Sequence, residues 1–391
     1  MIPRRQLVSV HRWTALTLGL VVLLSALTGA GMAFRKQLEP LVYPRQSLSS
    51  CSAPMNLDQI LREAEMEHPG GRIDYLRVDQ KPGSPIAVRY LNKDTLYFDR
   101  CTGQLLASQN RYGGFFGTLE WLHRGQWLSF GGNIMGAGAI CLLLLLASLG
   151  IYLWWPRKSR RFVDALKLNR KLRRGAAFDM GLHRTVGAWV AIPLAISATT
   201  ALPNAFPSIQ DAMIATGAAK TKTPHVSAIG PMAPLARAWA TINRLSPNPR
   251  QVLIHLPLKP TSAMEIFIIA KDAPHANART YLYLDPRSGR ILSYTPYAQM
   301  GWGAKLYYWM LSVHTGEVGG ILGQLILFCG ASGALLLGYT GIKTWMDRSL
   351  KRKSKPKAPP GKNSAAAAPA RERPRQKKLG NEDQLARGEV H

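Results

Sequence analysis

Four of the nine histidines, His11, His123, His183 and His314, each stand at the head of a long run without charged residues. A neutral imidazole is a good ligand for iron. If the four runs cross a membrane, His11 and His183 begin outward-running segments and share one face. His123 and His314 begin inward-running segments and share the other. Two opposed imidazoles at one depth are what a six-coordinate haem iron needs, one nitrogen on each side of the porphyrin. Arg12, Arg124 and Arg184 directly follow three of these histidines, and haem propionates need cations near the membrane surface. The same arginines also suit lipid phosphate, because long cationic side chains snorkel to the interface.

The elements that must position these residues are visible as apolar blocks. Charge-free runs lie between Arg12 and Arg35, Arg124 and Arg157, Arg184 and Asp211, and Glu317 and Lys343. Each is long enough for the roughly 20 apolar residues that a bilayer core requires. The near-neutral mean hydropathy of −0.06 therefore hides a membrane protein, and a soluble enzyme is excluded. The net charge of +28, from 50 Lys and Arg against 22 Asp and Glu, is concentrated in residues 156–184 and in the tail after 346. Basic segments remain cytoplasmic. The charge is thus a determinant of topology and a contact for anionic lipid, and nucleic acid is not an expected partner. The expected orientation has both termini in the cytoplasm and the two long hydrophilic stretches outside. The segments are 1–34 (N terminus and first span), 35–118 (external), 119–155 (second span) and 156–182 (basic loop). Then come 183–204 (third span), 205–305 (external), 306–346 (fourth span) and 347–391, a Lys-, Arg-, Pro- and Ala-rich tail expected to be disordered.

The chain also repeats itself. Counted from His11 and His183, the same offsets give Ser25 and Ser197, Ala26 and Ala198, Thr28 and Thr200, and Phe34 and Phe206. Counted from His123 and His314, they give Gly125 and Gly316, Gly150 and Gly341, Ile151 and Ile342, and Trp154 and Trp345. In the external stretches, Leu96-Tyr97-Phe98-Asp99 with Gly103 parallels Leu282-Tyr283-Leu284-Asp285 with Gly289. Both read as β-hairpins with an Asp-to-Gly turn. A helical patch at Leu57, Ile60, Leu61 and Ala64 precedes the first, and one at Leu235, Trp239 and Ile242 precedes the second. The expected fold is an α-helical membrane protein with four transmembrane helices, arranged as two parallel span–domain–span repeats. Each repeat carries one small external α+β domain. Cys51 and Cys101 fall in the first external stretch, where oxidation is permitted, and are a possible disulfide. Cys141 and Cys329 lie within spans and read as small buried hydrophobes. His68, His225, His255 and His275 lack metal-ligand spacing and read as surface residues.

Span–domain–span units of this kind resemble the PepSY-associated transmembrane helix family, which includes inner-membrane ferric-siderophore reductases of the FoxB type. The resemblance rests on His11-Arg12-Trp13, Leu122-His123-Arg124 and Leu182-His183-Arg184. The run from His314 to Gly320 and the stretch from Gly150 to Pro156 add to it, and it covers nearly the whole chain before the tail. It implies PepSY-like periplasmic domains, a bacterial inner-membrane location and two b-type haems, with His11, His183, His123 and His314 as axial ligands. The implied activity is that of an oxidoreductase carrying electrons across the membrane to ferric siderophore. No dinucleotide fingerprint follows a strand, so the expected electron donor is a quinol or a separate cytoplasmic reductase. No catalytic side chain is assigned. Two other readings stay open at this point. One is a di-haem electron carrier to a periplasmic protein partner. The other is a haem-free periplasmic binding or regulatory module.

Overall fold

The computed structural model describes residues 3–43, 56–128, 132–156, 162–168, 175–216, 224, 226 and 230–353. The expected tail beyond 353, Cys51 and His225 lie outside these residues. The first half comprises α1 (Arg4–Met32), α2 (Arg35–Val42), α3 (Leu57–Glu67), β1 (Ile73–Asp79), β2 (Ile86–Tyr90), β3 (Asp94–Phe98), β4 (Leu105–Asn110), α4 (Gly114–His123) and α5 (Gly132–Trp154). A short helix, α6 (Phe162–Ala165), follows. The second half comprises α7 (Ala176–Ala205), α8 (Pro207–Ala215), α9 (Leu235–Leu245), β5 (Gln251–His255), β6 (Met264–Ile269), β7 (Arg279–Leu284), β8 (Ile291–Thr295), α10 (Trp302–His314) and α11 (Gly320–Lys353).

Helices α1, α5, α7 and α11 contain the stretches long and apolar enough to cross a membrane. Most of their surface is uncovered by protein, as suits helices solvated by lipid. Cys141 and Cys329 are unpaired and lie on exposed faces of α5 and α11, not in the interior expected for them. Their apolar character suits lipid as well as it suits a core. Cys101 is disulfide-bonded.

The two long hydrophilic stretches do not fold into two separate sheets. They share one eight-stranded antiparallel sheet in the order β4-β3-β2-β1-β5-β6-β7-β8. The junction is the β1–β5 ladder, where Leu76 pairs with Ile254 and Val78 with Val252. Alternation along the strands sends Leu76, Val78, Val252 and Ile254 to one face, where they are fully or almost fully buried. There they pack with Leu57, Ile60 and Ala64 of α3 and Leu235, Ala238 and Ile242 of α9. Burying each such large side chain is worth about 1.5–3 kcal/mol.

The two amphipathic helices are capped differently. Asn56 begins α3 with a capping box, its side chain accepting from Asp58 N at 2.9 Å while Gln59 accepts from Asn56 N at 3.1 Å. Pro234 precedes α9 and supplies no side-chain cap. The carboxylate of Asp58 takes that place, accepting from Leu235 N at 2.7 Å and Ala236 N at 3.2 Å. An anion at a helix N-terminus also meets the positive end of the helix dipole. The first half of the chain thus caps a helix of the second.

The opposite sheet face rests on the short helices above the spans. The hydroxyls of Tyr281 on β7 and Tyr308 on α10 are hydrogen-bonded. Arg111 and Arg35 both reach Glu120 on α4, at 2.5 and 2.8 Å.

Candidate functional site

The outer histidines do not begin the long spans as expected. His123 closes α4 and His314 closes α10, and α5 and α11 start only after an intervening turn. The cause lies two residues on. Gly125 and Gly316 have φ of 63° and 71°, a left-handed conformation that ends a helix and favours glycine. At Gly316 a Cβ would also stand 3.0 Å from the Gln324 backbone. The matched glycines read from the repeat are therefore helix stops that set each histidine at a helix end. Side-chain contacts brace this region. Lys36 pairs with Glu317 at 2.6 Å, and Gln37 donates to Gln324 at 2.7 Å. Gln324 is thus committed to α2, and Asn133, its counterpart, is exposed.

The four histidines form two pairs. The ring centres of His123 and His314 are 6.4 Å apart with planes inclined at 41°. Those of His11 and His183 are also 6.4 Å apart, with planes at 85°. An imidazole nitrogen sits about 1.2 Å from its ring centre, and metal–imidazole bonds are about 2 Å long. A metal held between two imidazole nitrogens therefore sets the ring centres about 6.4 Å apart.

Hydrogen bonds fix which nitrogen is free. His123 Nδ1 lies 3.1 Å from the Ser25 carbonyl oxygen, and His314 Nδ1 lies 3.0 Å from that of Ser197. A carbonyl only accepts, so each Nδ1 carries the proton and each Nε2 keeps its lone pair. Thr28 Oγ1 also lies 3.0 Å from His123 Nδ1. His183 Nδ1 lies 3.0 Å from Thr340 Oγ1, whose own proton goes to the Leu336 carbonyl at 2.8 Å. That hydroxyl is left to accept from Nδ1, so His183 too presents Nε2. His11 differs, since its Nδ1 is buried without a partner. Small residues make room for the rings. A Cβ at Gly150 would lie 3.8 Å from His11 Cε1, one at Gly341 3.6 Å from His183 Cε1, and one at Gly29 3.4 Å from His123 Cε1.

The two pairs lie at different depths. Ser25 and Ser197 each come fourteen residues after the inner histidine of their own helix. At 1.5 Å per residue the pairs are about 21 Å apart along the helix axis. That fits within a hydrocarbon core of about 30 Å. The span length between His11 and Phe34 suggests about 35 Å; the outer histidines instead reach down to the level of Ser25 and Ser197.

Among the described residues no cluster of three or more His, Cys, Asp or Glu could hold a bare metal ion. Each pair offers two nitrogens, so a six-coordinate metal there would need four further ligands. A planar tetrapyrrole supplies four. The donor set therefore fits haem. Arg12, Arg124 and Arg184 are exposed and form no salt bridge among the described residues. Arg12 lies over the Trp13 ring.

His275, expected at the surface, is buried. It lies 2.9 Å from both Ser312 Oγ and the Tyr297 hydroxyl, which fixes the loop before β7 against α10. Burial in this aromatic setting lowers its pKa. His255 meets Asp74 at 3.3 Å across the β1–β5 junction, and His68 stacks edge-on against Tyr90.

Ser25, Ser197, Thr28, Gly150 and Gly341 are repeat positions in the sequence, and the fold makes them neighbours of histidine. Thr340 and Gly29 carry no repeat signal of their own. A hydroxyl one residue before the matched Gly341 was the available signal for Thr340. Residues 8–348 match the family model described as the PepSY-associated TM region. Among curated proteins none matches the chain.

Proposed function

The chain belongs to the PepSY-associated transmembrane family, and from that premise we propose that it is a di-haem b-type oxidoreductase of the bacterial inner membrane. It passes electrons outward and reduces ferric iron held by siderophores on the periplasmic side, releasing Fe(II). The observation that carries this reading is the pair of opposed imidazoles at each of two depths, both at the ring spacing a shared metal demands. His183 would hold the inner haem through Nε2 with His11 opposite it, and His123 and His314 would hold the outer one. Each bound haem supplies a one-electron Fe(III)/Fe(II) couple. The residues around it do the rest. The carbonyls of Ser25 and Ser197 orient the outer rings and keep their Nδ1 protons in place. Arg12, Arg124 and Arg184 neutralise propionates at the two faces. The apolar faces of the spans exclude water from both pairs.

The charge distribution supports cytoplasmic termini and a periplasmic sheet. Matched offsets and the central β1–β5 ladder support two parallel span–domain–span repeats about an axis along the membrane normal. A quinol or a cytoplasmic reductase supplies the electrons. Siderophore oxygens are hard ligands that hold Fe(III) far more strongly than Fe(II). One electron per iron therefore frees the metal and leaves every bond of the chelator intact. A polar cavity of about 250 Å³ beside α4, lined by Arg35, Arg89 and Arg111 together with Glu39 and Glu120, is a candidate docking place for a polar chelate.

The test is an optical spectrum of the detergent-purified protein, oxidised and dithionite-reduced, with haem quantified per chain. Ferric siderophore is then added to the reduced protein. A low-spin b-type spectrum at about two haems per chain, with reoxidation by the chelate, is the expected result. Absence of haem, even after reconstitution, overturns the proposal. Haem that ferric siderophores fail to reoxidise moves the assignment to an electron carrier for a periplasmic protein.

A further inference from the structure

The two histidine pairs are not equally supported. Both outer imidazoles have a backbone carbonyl on Nδ1. In the inner pair His183 has the Thr340 hydroxyl and the Leu337 backbone, whereas His11 Nδ1 is buried with no partner. One part of the difference traces to a side chain. Thr340 lies twenty-six residues after His314, and the residue twenty-six after His123 is Leu149, which has no hydroxyl. The registers are equivalent, because the next residue in each copy, Gly150 or Gly341, packs against the inner histidine of its own copy.

An acceptor on Nδ1–H makes the imidazole a stronger electron donor through Nε2 and fixes its orientation. Greater donation favours Fe(III) over Fe(II) and lowers the reduction potential. We propose that the Leu149/Thr340 position tunes the inner site, and that the missing acceptor on His11 makes the His11–His183 site the higher-potential and more weakly held of the two. The inference rests on the haem reading above. Leu149 and Thr340 are positioning residues, since they act only through a histidine.

The test is a spectroscopic redox titration of the full chain, with haem retention measured by transfer to apomyoglobin. His314→Ala is used as background to isolate the inner site. In that background Leu149→Thr supplies an acceptor to His11. It should lower the midpoint potential by up to about tenfold in the reduction equilibrium, which is 59 mV for a one-electron couple, and slow haem loss. Thr340→Val should shift the potential the opposite way, and Thr340→Ser should restore it. Leu149→Thr adds a group without removing one, so the proposal stays testable if Thr340→Val does not fold. An inner potential unmoved by both Leu149→Thr and Thr340→Val overturns it, as does an outer site that is the higher in potential in the wild type. Wild-type protein without haem would instead overturn the haem reading itself.

Discussion

His123 and His314 face each other with ring planes inclined at 41°, half the inclination of the pair beneath them, at 85°. The angle between axial imidazole planes controls the splitting of the iron dπ orbitals. Crossed planes keep those orbitals nearly degenerate, and less crossed planes split them. If both pairs hold haem as proposed, two separate low-spin ferric signals are therefore expected in electron paramagnetic resonance. The inner site gives the signal with the larger maximal g value. One signal of full intensity for both sites would contradict these geometries.

Replacing one outer ligand should remove one cofactor and spare the other. His123→Ala or His314→Ala is expected to halve haem per chain, leaving the inner signal. The inner ligands lie about 21 Å away along the helices, and neither shares a hydrogen-bond partner with the outer pair. Retention of both haems in these variants would defeat the pairing.

The central ladder of the sheet makes a separate prediction about stability. Leu76 and Ile254 pair directly, and both are fully buried. Truncating either to Ala should cost about 2–5 kcal/mol, from lost burial and the cavity left behind. Because they touch, the double variant should depart from additivity. Thermal unfolding followed by far-ultraviolet circular dichroism would show the sheet melting earlier.

Acid should loosen the second hairpin. The backbone amides of Arg287, at 2.9 Å, and Ser288, at 3.4 Å, donate to Asp285 and hold its carboxyl below its usual range. A carboxyl with a depressed folded pKa contributes its stability above the unfolded value of about 3.9. That contribution is lost as pH falls through the lower folded value. Amide exchange in β7 and β8 should therefore accelerate below about pH 4, and Asp285→Asn should flatten the dependence.

The spans, the hairpins and the repeat offsets were legible because each depends on local pattern. Leu57, Ile60 and Ala64 mark the buried face of α3, and Asp99 with Gly103 marks a turn in which Asp99 accepts from Cys101 N at 2.7 Å. The separation of α4 from α5 was less legible, since its signal is a single glycine, Gly125, inside a stretch that reads as continuous. The joining of the two sheets was not legible. Any strand edge with alternating apolar residues can pair, and nothing local in β1 names β5 as its neighbour. The histidine acceptors were hidden for another reason. Ser25 and Ser197 act through their carbonyls, which every residue possesses, so residue type carries no signal.

The β1–β5 ladder has an evolutionary meaning as well. A chain holding only the first copy would leave the far edge of β1 open, and a second identical chain could pair there. Such a homodimer would put the same histidine on both sides of each pair, and any substitution would strike both at once. In a single chain the two sides of each pair are separate genetic positions. Leucine can then stand at 149 while threonine stands at 340, a difference that two identical chains could not express.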